Sequence, residues 1–97
     1  MEYKILPYTY KKLDELNKNI RENITIEPSK KGYYKIDVFN SGSYLFSVGD
    51  KRYLSYPEYL KISNKAHADK RKELYYKRHG TSYPKYSRGW FSSYLLW

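Results

Sequence analysis

The side chains that could do chemistry in this 97-residue chain are cationic and aromatic, and they are concentrated in its second half. Residues 51–97 hold 11 Lys/Arg and 3 Asp/Glu, a net charge of +8, whereas residues 1–50 hold 8 and 7, a net charge of +1. Charge of this density favours nucleic acid, an anionic protein face or a membrane surface as the counterpart. The residue types therefore predict binding of an anionic partner.

Residues for catalysis or metal binding are sparse. The chain has no Cys, no Gly-rich phosphate loop and no Ser/His/Asp set. Its two histidines, His67 and His79, are 12 residues apart. On one helix that spacing is about 18 Å, too far to share a metal. We expect a non-enzymatic protein without cofactor or metal; an enzyme that uses His79 as a lone general base is the distant alternative.

Most of the cations lie on one predicted helix, residues 65–79, which is capped by Ser63 or Asn64 and ends at Gly80. Lysines and arginines alternate there with tyrosines, so a polyanion could meet both charge and ring surface. The alternative is a solvated helix held by ion pairs along Asp69, Glu73 and Lys77. The residues predicted to bind a polyanion or partner are Arg52, Lys61, Lys65, Lys70, Arg71, Lys72, Lys77, Arg78, His79 and Arg88.

The large apolar side chains are at the C-terminal end. Ser87 is suited to begin a helix in which Trp90, Phe91, Tyr94 and Leu95 share one face. Leaving that face in water costs about 25 cal/mol per Å² of apolar area. The segment must cover the protein's own core or insert into another protein, and the two alternatives are compatible. The predicted aromatic anchors are Tyr75, Trp90, Phe91, Tyr94 and Trp97.

The first half supplies the scaffold. Residues 1–8 are predicted to be extended, and Thr9 to cap a helix over residues 10–22 that buries Leu13, Leu16 and Ile20. Alternating residues 33–39 and 44–48 flank Asn40-Ser-Gly42-Ser, which predicts a β-hairpin. A third strand comes from residues 24–27 or from the N-terminus. Ser55-Tyr-Pro-Glu58 predicts a capping box that begins a short helix over residues 56–61.

Together these elements predict an α+β protein: one small domain with an antiparallel hairpin of two or three strands against three to four short helices. Residues 1–30 would form an N-terminal helical extension, and residues 31–97 the hairpin, the basic helix and the aromatic helix. The longest uncharged stretch, residues 38–49, is far shorter than the roughly 20 apolar residues of a membrane span. The first residues lack the apolar run of a signal peptide.

The second half also resembles a known family. It resembles small uncharacterised proteins of nucleocytoplasmic large DNA viruses, which have an Arg-Lys-x-x-Tyr-x-x-Arg-His helix and a Tyr-Leu-Leu-Trp end. The residues that carry the resemblance are Phe46-Ser-Val-Gly49, Tyr53, Tyr56-x-x-Tyr59, Asp69-Lys-Arg-Lys-x-x-Tyr75-x-x-Arg78-His79 and Gly89-Trp-Phe-Ser-Ser-Tyr-Leu-Leu-Trp97. Ser92-Ser-Tyr94 departs from the family's Ser-Arg-Trp, and the N-terminal helix has no counterpart there.

The resemblance implies a protein of the virion, present in the host cytoplasm during assembly, with viral capsid or core proteins as partners. It implies no catalytic residue, because no activity is known for the family. We therefore expect a non-enzymatic minor capsid or inner-particle protein that docks through its basic helix and aromatic anchors. The alternative is a DNA- or RNA-binding protein using the same basic face. That binding would follow the phosphate backbone, because the helix has few side chains that read base edges.

Overall fold

The computed structural model describes residues 3–97, which form four helices and one antiparallel sheet of three strands. The predicted α+β class is confirmed. In chain order the elements are α1 (Pro7–Ile20), β1 (Ile24–Pro28), β2 (Tyr34–Asn40), β3 (Ser43–Asp50), α2 (Tyr56–Ile62), α3 (Lys65–His79) and α4 (Arg88–Leu96).

The sheet is a meander with β2 in the middle. Asn40 pairs with Ser43 across a two-residue turn, in which Ser41 has φ 49° and Gly42 φ 85°. Positive φ at both central residues matches the right-handed twist of a tight hairpin, and the predicted hairpin is confirmed. The third strand is β1, which pairs with β2 from Ile24↔Asn40 onward. Of the two candidates for that strand, the N-terminus is therefore wrong.

One apolar core joins the sheet to the first and last helices, and α2 and α3 pack against each other beside it. Leu13 and Leu16 of α1 lie in this core, as their spacing predicts. Helices α1 and α4, the first and the last in the chain, thus share one buried surface. The buried members of the core are Ile5, Leu13, Leu16, Ile24, Ile36, Val38, Val48, Phe91, Leu95 and Leu96.

The predicted start of α1 is wrong. The helix begins at Pro7, so residues 7 and 8 are helical rather than extended; residues 1 and 2 of that prediction lie outside the described part. Pro suits the first helical position, where an N–H would have no partner. Thr9 is fully buried inside the helix, and its hydroxyl donates to the carbonyl oxygen of Leu95 at 3.0 Å. The hydroxyl that looked like a cap joins α1 to α4.

Side chains predicted to start the other helices do so. Asn64 Oδ1 accepts a hydrogen bond from the His67 N–H at 2.8 Å, which selects it over Ser63 as the cap of α3. Ser87 Oγ accepts one from the Trp90 N–H at 3.2 Å and begins α4. Glu58 Oε1 accepts from the Ser55 N–H at 3.2 Å at the start of α2. Local cap chemistry therefore sets these boundaries.

The middle strand buries two charges. Alternation along β2 puts Lys35 and Asp37 opposite Ile36 and Val38, which predicts a wet face, yet both are buried. Burial raises the pKa of Asp37, but hydrogen bonds from Ser47, Ser29 and Lys31 outweigh that effect and hold it below its ordinary value. Tyr34, at the start of the strand, is 37% exposed.

Candidate polyanion-binding site

The cationic helix α3 is exposed over most of its surface, and Ala68 is its one fully buried residue. Its cations lie on more than one side. Arg71, Arg78 and His79 are seven and eight positions apart, which places them on the same side of the helix about two turns apart. These three face a cleft. They are the part of the predicted set that the fold gathers at one place.

The cleft has a volume of about 560 Å³ and lies between α3, the segment that links β3 to α2, and the end of α4. The α3 wall carries the three cations together with Leu74 and Tyr75. The linking segment contributes Tyr53 and Leu54, and α4 contributes Leu96. Trp97 closes the far end. Cationic and aromatic surfaces therefore meet in one concavity, in the size range of ligand sites.

A stack of three rings fixes one wall of the cleft. The Tyr75 ring centroid lies 4.5 Å from Trp97, at an interplanar angle of 12°, and 4.5 Å from His79. The Tyr75 hydroxyl is 3.2 Å from Ser93 Oγ, and the Tyr76 hydroxyl donates to the Ser93 carbonyl oxygen at 3.3 Å. Burial raises the pKa of Tyr75 to about 12. The side chains at the C-terminal end of α3 thus hold that end of the helix against α4.

The cleft arginines are open to an incoming anion. Within the described residues 3–97, neither Arg71 nor Arg78 has a carboxylate within 4.0 Å. Arg71 lies over the Tyr59 ring, 5.5 Å from its centroid. One acidic residue, Asp50, also lines the cleft, but Arg52 donates to both of its oxygens at 2.8 and 3.0 Å. Those hydrogen bonds lower the pKa of Asp50 to about 2.

Three of the other cations of α3, Lys65, Lys70 and Lys72, are engaged elsewhere. Lys65 pairs with Asp69 at 2.7 Å, and Lys70 with Glu73 at 3.8 Å. These pairs replace the predicted pair between Glu73 and Lys77. The Lys77 side chain is exposed. Lys72 is half-buried 5.0 Å above the Tyr56 ring, where burial and then the charge of Lys12 lower its pKa. The flank away from the cleft is thus largely paired within the protein.

Three predicted cations lie outside α3 and outside the cleft: Arg52, which pairs with Asp50, and Lys61 and Arg88. The Arg88 guanidinium sits over Tyr34 and Phe46 of the hairpin, 5.8 and 5.9 Å from the ring centroids. Lys61 borders a separate apolar groove between α2 and the start of α1. Spacing along the chain therefore identified the cationic half correctly but did not sort its members among different surfaces.

The aromatic anchors divide in the same way. Phe91 is fully buried, and Trp90 and Tyr94 are partly buried against the core. Lys12 covers the Tyr94 ring at 4.5 Å. Only Tyr75 and Trp97 of the predicted anchors line the cleft. The C-terminal helix therefore covers the protein's own core and presents one ring to the candidate site.

A buried polar cluster under the cleft was not predicted. Lys35 Nζ donates to Ser55 Oγ at 2.8 Å and to Glu58 Oε1, and the Tyr3 hydroxyl donates to Glu58 Oε2 at 2.9 Å. Burial lowers the pKa of Lys35, and the hydrogen bond to Glu58 opposes that shift. Ser55 is only 3% exposed, and its hydroxyl also donates to Glu58 Oε1 at 2.9 Å, so it supports the ion pair. The Ser55–Glu58 capping box was predicted, but for Lys35 the only signal in the sequence was a lysine flanked by strand-forming residues.

The described residues hold no group of three or more His, Cys, Asp or Glu side chains that could bind a metal ion. Across residues 3–97, none of the helices has the length and apolar character needed to traverse a bilayer. Comparison of the chain with protein-family models, with curated protein sequences and with solved structures finds no match.

Proposed function

We propose that this protein is a non-enzymatic binding protein that takes up an anionic partner at the cleft side of α3. One observation carries the proposal. Arg71 and Arg78 lie on the same side of an exposed helix, and within the described residues no carboxylate neutralises either of them. Guanidinium groups form paired hydrogen bonds to carboxylates and phosphates alike.

A structural role in a virus particle is the first setting for this activity. It rests on the resemblance of residues 31–97 to small proteins of large DNA viruses. In that setting the partner is an acidic surface of a capsid or core protein. Mass spectrometry of purified particles tests it: we expect the protein at a fixed ratio to the capsid protein, and its absence from particles would remove the virion role while leaving the binding activity to be tested separately.

Nucleic acid is the second candidate partner, and a specific observation favours it. The cleft places exposed ring surface beside the arginines: the Tyr53 side chain lines it and is 69% exposed. Bases stack on such rings, whereas an acidic protein surface offers carboxylates with no ring to match. Phosphate contacts of this kind are sensitive to salt.

The binding surface is tested by reversing its charge. In Arg71→Glu/Arg78→Glu we expect retention on single-stranded DNA and on polyglutamate to be lost at 50 mM salt, because two attractive contacts become repulsive. The matched control is Lys11→Glu/Lys30→Glu, which changes the net charge equally at exposed positions away from the cleft. Filter binding measures the DNA arm and co-sedimentation the peptide arm. Equal loss in both variants would show that overall charge, not this surface, does the binding.

A further inference from the structure

The cleft has the dimensions and wall chemistry of a site for one nucleotide. We propose that it holds a single nucleotide unit, with the phosphate between Arg71 and Arg78 and the base on the Tyr53 ring. The inference rests on the proposed function and narrows it, because it names the chemical class that this side of α3 recognises. The volume of about 560 Å³ falls within the roughly 300–1,000 Å³ of small-ligand pockets.

The phosphate end follows from the arginines. Arg71 and Arg78 are about 10 Å apart along the helix axis, from their seven-residue separation. Both have long side chains whose guanidinium groups can reach an anion lying between them. Asp50, the acidic side chain of the cleft, is held by Arg52 and so does not compete for these two arginines.

The position of the base is inferred from which aromatic rings of the cleft are already covered by other side chains. Tyr75 is stacked on Trp97, and Tyr59 has Arg71 over its face. Tyr53 is the cleft tyrosine with the largest exposed fraction, and Leu54 beside it is 42% exposed. Exposed apolar surface inside a cationic cleft is costly unless a ligand covers it. A planar base covers it, and an acidic peptide or a flat lipid headgroup layer leaves it wet.

A nucleotide unit could come from two sources, the free mononucleotide or one residue of a single strand. Their chemistry in the cleft is the same. The probes are therefore AMP, an oligothymidylate strand, inorganic pyrophosphate and polyglutamate, each titrated into the full chain by calorimetry at low salt. Pyrophosphate supplies phosphate without a base, and polyglutamate supplies charge without either.

The decisive variant is Tyr53→Ala, whose matched control is Tyr10→Ala, an exposed tyrosine on α1. We expect Tyr53→Ala to weaken AMP or oligothymidylate between about fivefold and 150-fold, the worth of one stacked base. Pyrophosphate binding should change less than twofold. Arg78→Gln should weaken all the phosphate-bearing probes, and Tyr10→Ala none of them. Circular dichroism confirms that each variant is folded.

Each outcome decides between the two proposals. Tyr53-dependent binding of AMP and of the strand supports the nucleotide site with the free nucleotide as a ligand; Tyr53-dependent binding of the strand alone supports it with nucleic acid as the source. Equal binding of polyglutamate and oligothymidylate, unchanged in Tyr53→Ala, overturns the nucleotide site and leaves polyanion docking standing. No binding of any probe at low salt overturns both.

Discussion

Helices α3 and α4 follow each other in the chain but are built for different purposes. The shorter one, α4, has nine residues and buries Phe91, Ser93, Leu95 and Leu96. The longer one, α3, has 15 residues and fully buries Ala68 alone. Burial of apolar area is the main source of stability, so α4 supplies it and α3 does not. The difference shows that α3 can present charged side chains to solvent because α4 supplies the buried apolar residues of the core.

The two helices touch through few groups. Tyr75 and Tyr76 reach Ser93, and Tyr75 stacks on Trp97. The other attachment of α3 is to α2, which precedes it. A helix fixed at a few points keeps its exposed sides available, and the points of contact themselves shape the cleft.

The largest expected effect is on the α4 side of this comparison. Phe91→Ala removes a fully buried ring from the core and should lower the free energy of unfolding by about 3–5 kcal/mol. In a domain of this size that approaches the whole stability. Urea unfolding followed by circular dichroism measures it. The free energy of unfolding of Lys77→Ala, on an exposed side of α3, should stay within about 0.5 kcal/mol of the parent. An equal loss of stability in both variants would contradict the conclusion that α4 rather than α3 stabilises the fold.

A middle-sized effect is expected at the one buried point of α3. Ala68→Leu adds three carbon atoms at a site on α3 with no exposed surface, and should cost about 1–3 kcal/mol by overpacking. Ala66→Leu is its control, because residue 66 is exposed on the same helix. If the two variants unfold at the same urea concentration, α3 is attached even more loosely than its contacts indicate.

The smallest effect concerns the contact between the helices. Tyr75→Phe removes the hydroxyl that meets Ser93 and should cost about 0.5–1.5 kcal/mol at neutral pH. Because the pKa of Tyr75 is raised to about 12, the folded state keeps its proton when the unfolded state has lost it. That contribution is fully present below pH 10 and is lost as pH rises through 12.

Unfolding measured from pH 9 to pH 12 tests this sign. The parent should lose stability over the window more steeply than Tyr75→Phe. Tyr8, whose pKa burial also raises to about 12, keeps part of the slope in the variant. A Tyr8→Phe/Tyr75→Phe variant should flatten it further, and identical slopes in the parent and this variant would contradict the assignment.

Local chemistry made much of the fold predictable. Asn64 and Gly80 mark the two ends of α3, and Gly42 marks the hairpin turn. Each of these signals acts within a few residues, so the sequence displays it directly. What was wrong depends on distant partners: Thr9 reads as a cap because nothing nearby shows that its hydroxyl meets Leu95, 86 residues away.

The candidate site was predictable to a lesser degree for the same reason. Helical spacing groups Arg71 with Arg78, but it does not show which neighbour they face. The cleft needs Tyr53 and Trp97, 44 residues apart in sequence, and only the packed structure brings them together. The burial of Lys35 depends likewise on Glu58 of another element.

The ring stack gives the protein an optical reporter of its own. Trp97 closes the cleft against Tyr75, whereas Trp90, the second tryptophan, packs on Tyr86 and Phe91 away from it. Replacing Trp90 by phenylalanine leaves a single indole emitter, Trp97, in the wall of the cleft. We expect its fluorescence to report binding at the proposed site, without any attached dye.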